Sequence, residues 1–387
     1  MKRKVLFIFG ALGGGGAQRQ FGWLIEGIDK QLFEPVIITI GPNENKAKNH
    51  LIKYPDTETL DECGKKEEFE KFFLYRKLLN TGVKKHFIER KGYFYIFKNI
   101  RKILKLEKPG VILNVTPMAM TYSFLPSLFG SAKVIHGVRG NGILLSYKKN
   151  IYNVFHFLSQ MGINYFVCNS NGLAKNIQRN GYHKNKIKVI YNGIPTFFDS
   201  SFNDENTSPP EMIRIGLIGR FTKVKDHEMF IDAIHNLNTT RNFSVHLYGS
   251  GELEAVLQNK INELGLERKV IIEGWVSNVS GVLKTIDIVC LTSRFEGFNN
   301  AISEAQMHGI PVVTTNCIGS DEIVADGKTG FIVPIKDDKE FSKKLQLLID
   351  DDVLRINFSK NAYQRSRVEF GIPKMVKRYE SFFTEIL

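Results

Sequence analysis

Residues 286–316 constrain the architecture more than any other stretch of the chain. They read IDIVCLTSRFEGFNNAISEAQMHGIPVVTTN. An apolar run of strand length, Ile286 to Thr292, leads into a polar turn containing Gly297. A helical stretch near Asn299–His308 follows, Gly309 stops it, and Pro311 leads a β-branched run, Val312–Thr315. Strand, turn, helix and strand in that order make one βαβ unit of a parallel sheet. Such sheets bind ligands at the carboxyl ends of their strands. Glu296 falls in the turn at one of those ends, and Glu304 lies eight residues on, inside the helix. The helix start adds unpaired N–H groups that suit an anion. The turn is equipped to hold hydroxyl groups with carboxylates and a phosphate with backbone donors.

The same pattern recurs along the chain. Val5–Phe9 reads as a buried first strand, followed by the glycine loop Gly10-Ala11-Leu12-Gly13-Gly14-Gly15-Gly16 and an amphipathic helix with Phe21, Leu24, Ile25 and Ile28. Such a loop lets backbone approach a diphosphate or sugar, although its spacing is not a clean GxGxxG. Val36–Ile40, Val111–Val115, Lys133–Ile135, Tyr165–Cys168 and Lys188–Tyr191 read as further strands. His136 and Arg139 follow the Lys133–Ile135 run. The histidine reads equally as structural and as a site residue, and the arginine fork suits an acceptor phosphate. Residues 43–82 are polar and charged and match no element, and part of them reads as an insertion over the cleft. Residues 199–211, DSSFNDENTSPPE, read as an interdomain linker. Beyond it come strand Arg214–Ile218 with loop Gly219–Asp226, strand Val245–Tyr248 with Gly249-Ser250-Gly251, and strand Val270–Glu273 with Gly274-Trp275-Val276.

Composition decides which classes remain. A chain of 387 residues, 43% hydrophobic and 24% charged, suits two globular domains. No apolar run approaches the roughly 18 residues that span a bilayer, and the basic opening MKRKVLFIFG is read as strand and loop, not as a leader. The four cysteines, Cys63, Cys168, Cys290 and Cys317, form no CxxC pair and read as reduced thiols. No Cys/His cluster suggests zinc, and the only Asp-x-Asp lies within Asp350-Asp351-Asp352 beside an apolar helix, so no metal is expected. Charge is uneven. Residues 1–200 hold 31 Lys+Arg against 14 Asp+Glu, a net +17, whereas residues 201–387 hold 22 against 26, a net −4. Residues 84–108 interleave nine lysines and arginines with aromatics, and Ile96, Ile100, Ile103 and Leu104 share one helical face. This segment reads as a core-packed helix with a solvated basic face or as a surface that docks on an anionic membrane. Nucleic acid is the weaker partner, since no nucleic-acid fold motif accompanies the charge.

Glu296-Gly297-Phe298, the E-x7-E spacing to Glu304, Ala305, Gly309-Ile310-Pro311-Val312-Val313, Gly319, Glu322-Ile323-Val324, Asp326-Gly327 and Thr329-Gly330-Phe331 together resemble the signature of glycosyltransferase family 4. Gly15-Gly16-Ala17-Gln18-Arg19 resembles that family's N-terminal glycine loop, with Gln18 where Glu is usual, and Asn192-Gly193-Ile194 resembles the turn closing its first domain. The resemblance implies an α/β protein of GT-B fold, two Rossmann-like doubly wound domains facing a central cleft. It places an acceptor domain at 1–198, a linker at 199–212, a nucleotide-sugar domain at 213–366 and a final helix at 367–387 packing back on the first domain. It also implies metal-independent transfer with retention and no cofactor. Arg220 and Lys225 would clamp the donor diphosphate, Glu296 would orient the sugar, Glu304 would bind ribose, and His136 would lie near the transferred sugar. Gly15, Gly16, Gly219, Gly249, Trp275, Val276, Gly297, Phe298 and Asn299 complete the donor set, with Arg139 facing the acceptor.

The expected reaction is transfer from a UDP- or GDP-sugar to a hydroxyl of a lipid-linked saccharide, in surface polysaccharide or glycan synthesis. The expected place is cytoplasmic, on the inner face of the cell membrane. A GT-B nucleotide-sugar epimerase is the enzymatic alternative, and a basic nucleic-acid-binding protein is the alternative of another class.

Overall fold

In a computed structural model, residues 2–10, 16–41, 82–140, 162–195, 210–276 and 278–387 are described. Gly15 and most of the linker lie outside them, as does the 43–82 insertion except for Gly82. The chain divides into two compact units. One comprises Met1–Gly193 and Ile372–Leu387, the other Ile194–Gly371.

The first unit is a seven-stranded parallel sheet. Its strands are β1 (Arg3–Phe9), β2 (Phe33–Gly41), β3 (Lys84–Glu89), β4 (Val111–Asn114), β5 (Lys133–Val138), β6 (Tyr165–Cys168) and β7 (Ile187–Val189). Their order is β3-β2-β1-β4-β5-β6-β7. A parallel sheet covered on both faces needs strands that are apolar throughout, and Val5 to Phe9 meet that need with no exposed residue. Alternation splits them: Val5, Phe7 and Phe9 face one core with Phe21, Leu24 and Ile25, while Leu6 and Ile8 face another with Ile96, Ile100, Ile103 and Leu104. The apolar stripe of helix Tyr93–Glu107 is therefore seated on the sheet. The basic segment begins with a strand that the sequence pattern did not single out, since β3 opens with Lys84 and Lys85 and lies at the sheet edge, where lysine discourages further pairing.

The second unit is a six-stranded parallel sheet. It comprises β8 (Ile213–Ile218), β9 (Phe243–Tyr248), β10 (Val270–Gly274), β11 (Ile288–Leu291), β12 (Val312–Thr315) and β13 (Gly330–Val333), in the order β10-β9-β8-β11-β12-β13. Both sheets are wound outward in two directions from a central pair, β1/β4 in one and β8/β11 in the other. Between such a pair the crossover connections leave to opposite faces and a crevice opens at the strand ends.

The carboxyl-terminal helices meet at Gly371. Helix Asp352–Phe370 ends there in extended backbone and belongs to the second unit, while helix Ile372–Ile386 belongs to the first. The boundary thus falls five residues beyond the 366/367 division read from sequence. In the second helix Met375, Val376, Tyr379, Phe382 and Phe383 are buried in the same core as Phe21.

Candidate active site

The second unit gathers most of the expected donor residues along the carboxyl ends of its strands. Gly219 follows β8, Gly249 follows β9, Gly274 ends β10, and Thr292 to Glu296 follow β11. Backbone hydrogen bonds tie these ends together: Gly219 N donates to the Tyr248 carbonyl (2.9 Å), Gly249 N to the Gly274 carbonyl (2.7 Å), and Phe221 N to the Ser250 carbonyl (3.0 Å). Position 249 admits only glycine, because a Cβ there would stand 1.9 Å from the Gly219 oxygen. The strand ends therefore form one fixed rim.

At the β8/β11 switch point the Lys225 ammonium donates a hydrogen bond to Glu296 Oε1. Ser293 Oγ donates to the same oxygen at 3.0 Å. Both charged side chains are mostly buried, and each keeps some accessible surface. The loops bearing them are laced together. Thr292 Oγ1 donates to the Lys225 carbonyl (2.9 Å), and Arg294 N to that of Val224 (2.8 Å). Arg294 also grips Asp226 with its fork, Nε to Oδ2 at 2.6 Å and Nη2 to Oδ1 at 2.8 Å. Asp226 sits at φ 50°, a left-handed conformation that costs a non-glycine residue about 1 kcal/mol. The bidentate pair offsets that strain and fixes the direction of Lys225. Arg220 is exposed in the same loop as Lys225, and among the described residues no ion pair engages it.

Glu304 is buried in helix Asn300–Met307. Two neighbours have side-chain roles different from the donor contacts expected of them. Phe298 packs edge-on against Phe370 with ring centroids 5.6 Å apart. Asn299 caps the helix, its Oδ1 accepting from Ile302 N at 3.1 Å. Gly297, Trp275 and Val276 lie on the rim. Sequence reasoning missed Ser293, Asp226, Arg294 and Cys317. Ser293-x-x-Glu296 has the spacing of a local hydrogen-bonded pair, a signal that was available. Burial pushes the Cys317 thiol up to about 11, so it stays protonated beside the Lys225–Glu296 pair.

The first unit treats its candidates differently. His136 lies inside β5, not after it, and is buried opposite Asn114 of β4. Arg139 donates to Asn192 Oδ1 (3.0 Å) and to the Tyr379 hydroxyl (2.7 Å), and its guanidinium lies over the Phe21 ring at 4.7 Å. The fork expected to meet an acceptor phosphate thus fastens the final helix to the sheet. Gly16 opens helix Gly16–Gly27, and within it the buried Gln20 clasps Gly193 at both backbone groups, 3.0 and 2.7 Å.

Comparison with known proteins bears on the chain as a whole. Residues 14–197 match the family described as Glycosyltransferase Family 4, and residues 200–365 match Glycosyl transferases group 1. The chain is 25% identical over 284 residues to the lipopolysaccharide core biosynthesis glycosyltransferase LpsE of Rhizobium meliloti, covering 72% of this chain and 77% of that one. Over 394 residues it is 24% identical to a Campylobacter jejuni α-1,4-N-acetyl-D-galactosaminyltransferase named for its GalNAc-GalNAc-diNAcBac-PP-undecaprenol acceptor, covering 99% of both. The crystal structure of Anabaena Alr3699/HepE with UDP-glucose superposes with a TM-score of 0.75 at 17% identity, covering 99% of both chains.

Proposed function

We propose that this chain of GT-B fold is a glycosyltransferase that moves a sugar from a nucleotide diphosphate to the hydroxyl of a lipid-linked saccharide, with retention at the anomeric carbon, a reading that the two matched glycosyltransferase families support. The observation that carries this reading is the Lys225–Glu296 pair at the β8/β11 switch point, with Arg220 exposed in the same loop. An ammonium and a carboxylate that hold each other can separate onto a ligand bearing both a diphosphate and hydroxyl groups. Lys225 and Arg220 then neutralise the charge that grows on the departing diphosphate, and fixed cations in a partly dry site do so without reorganising. Glu296 takes the sugar hydroxyls and Glu304 the ribose. The C1–O bond to phosphate breaks and a C1–O bond to the acceptor forms on the same face. The acceptor's hydroxyl proton passes to the leaving phosphate oxygen, so no metal and no covalent enzyme intermediate is required. UDP is the first nucleotide to test, since the HepE structures hold it.

The acceptor side rests on the first unit. Helix Tyr93–Glu107 keeps its isoleucines in the core but exposes Phe94 and Leu106 among Lys98, Lys102, Lys105 and Lys108. Phe129 is exposed nearby under the Arg101 guanidinium, 4.8 Å from its ring. Apolar tips set among cations suit peripheral docking on an anionic bilayer, which would bring the enzyme to a lipid-linked acceptor on the inner membrane face. Among the described residues no helix is long and apolar enough to cross a membrane.

Incubation with a panel of UDP- and GDP-sugars and lipid-linked acceptors, read by mass spectrometry, should give a glycosylated product. Arg220→Ala, Lys225→Ala and Glu296→Ala should each abolish most of it. Near-wild-type rates in all three would end the reading. Cosedimentation with vesicles should rise with anionic lipid content and fall in Phe94→Asp, and indifference to both would remove the membrane from it.

A further inference from the structure

The second unit contains a hydrogen-bond chain that this reaction does not use. Ser244 and His246 are two residues apart on β9 and so project from one face, while Val245 and Leu247 fill the core from the other. Ser244 Oγ lies 3.0 Å from His246 Nε2, and His246 Nδ1 lies 2.7 Å from Glu273 Oε1. An ionised carboxylate only accepts, so Nδ1 carries the proton that Glu273 receives and Nε2 faces the serine hydroxyl. Serine, histidine and carboxylate in line is the arrangement of a nucleophilic triad. Here, however, the serine is buried near the amino end of β9, opposite Arg214 and away from the rim where ligands bind. The chain is built to hold something, not to attack.

What it holds is a bulge. β10 is the edge of the sheet, and its register slips: Ile272 opposes Leu247 but Gly274 opposes Tyr248, which leaves Glu273 as the extra residue. A bulged edge strand has few ladder bonds to define it. The Glu273–His246 bond pins it from within the sheet. The His246 ring also stacks at 18° on Tyr248, the last residue of β9, with centroids 6.2 Å apart. Immediately after the bulge Gly274 turns the chain in a left-handed conformation, φ 80°, and accepts the bond from Gly249 N. Trp275 and Val276 follow.

We infer that His246, tethered between Ser244 and Glu273, is a positioning residue that fixes the Gly274–Val276 turn on the donor rim, where the turn would meet the nucleoside part of the donor. The inference rests on the donor-site reading above, and one titration separates the two. Calorimetry on the full chain compares UDP, which needs both the turn and the cations, with inorganic pyrophosphate, which needs the cations alone. His246→Phe should weaken UDP about tenfold while pyrophosphate stays within about twofold, the size of effect that losing one buried charge-assisted bond gives. His246→Asn should recover most of the loss, since its amide can donate from the position of Nδ1. Amide hydrogen exchange should quicken at Gly274–Val276 in His246→Phe and stay unchanged in the core. Should that variant not fold, Glu273→Ala, at a partly exposed edge position, supports the same titration. UDP affinity that is unchanged, or that falls in step with pyrophosphate, overturns the inference and leaves the donor site standing. A wild-type protein that binds neither ligand overturns both.

Discussion

Two carboxylates in this chain sit among cations, at opposite ends of two similar sheets. Glu107 ends helix Tyr93–Glu107 at the amino edge of the first sheet. Its side chain is wholly buried and receives Lys84 at 2.6 Å, Lys4 at 2.9 Å and His86 at 2.9 Å. Burial alone would raise its carboxyl, but the bonds from Lys84, Lys4 and His86 outweigh it and hold the group at about 2. Glu296 stands at the carboxyl edge of the second sheet with one ammonium and one hydroxyl, and part of it meets solvent. The two clusters share a chemistry and differ in saturation. A carboxylate with three donors around it has nothing left to offer a ligand. One with two donors, at the end where crossovers open a crevice, can exchange partners.

The sharpest way to break this contrast is to delete each carboxylate. Glu296→Ala should lower transfer about a hundredfold or more, as misplacing the sugar at the reacting centre does, with little change in melting temperature. Glu107→Ala should leave activity per folded molecule intact and cost about 1–2 kcal/mol in a denaturant titration, because three charge-assisted bonds are lost from cations that can still reach solvent. If the two variants exchanged phenotypes, the contrast would be wrong.

Acid should separate the units next. Burial foremost, with Lys225 adding and Asp226 opposing, lowers the His227 imidazole to about 4 from 6.5. A lowered imidazole stabilises the fold fully above pH 6.5 and loses that contribution as pH falls to 4, about 3 kcal/mol for this wholly buried ring. Burial first, then Lys284, places His308 in the same window at about 4. Glu107 gives its contribution above pH 4.5 and loses it toward 2. The chain has two tryptophans, Trp23 in the first unit and Trp275 in the second, so each unit reports its own transition in single-tryptophan variants. The Trp275 transition should come at the higher pH, and His227→Phe should move it downward. Coincident transitions would show that the two windows do not govern the units separately. Lys84→Met should do least, under about 1 kcal/mol in the same denaturant titration, since that lysine is half exposed and two other donors remain on Glu107.

The sequence made some of this plain and concealed the rest for identifiable reasons. Strands buried on both faces announce themselves as apolar runs, so Val5–Phe9 and Ile288–Leu291 were readable without a partner. Gly249 and Gly274 were readable as turns because backbone crowding at the first and a positive φ at the second leave few alternatives. Roles set by distant partners left no local trace. Nothing near Arg139 signals Tyr379, 240 positions away. Glu107 looked like one acid in a basic helix, yet its ligands come from β1 and β3. Phe298 and Asn299 match a donor-site pattern by position, while their side chains serve packing and capping. His136 reads as following the Lys133–Ile135 run, but the strand continues through Gly137 to Val138. In the sheet a Cβ at 137 would stand 2.7 Å from the Phe21 ring, so the glycine marks close packing and not a turn.

The helix Ile372–Ile386 supplies Tyr379, Phe382 and Phe383 to a core otherwise built from residues before 194. During translation the opening half of this chain therefore emerges with a gap in its interior, and only the closing segment can fill it. The second unit, continuous from Ile194 to Gly371, has every part it needs sooner. Biogenesis should accordingly run against the order of the gene, with the domain made later finished first. Premature termination near codon 371 would release a polypeptide whose downstream lobe is sound and whose upstream lobe is left open to chaperones and proteases.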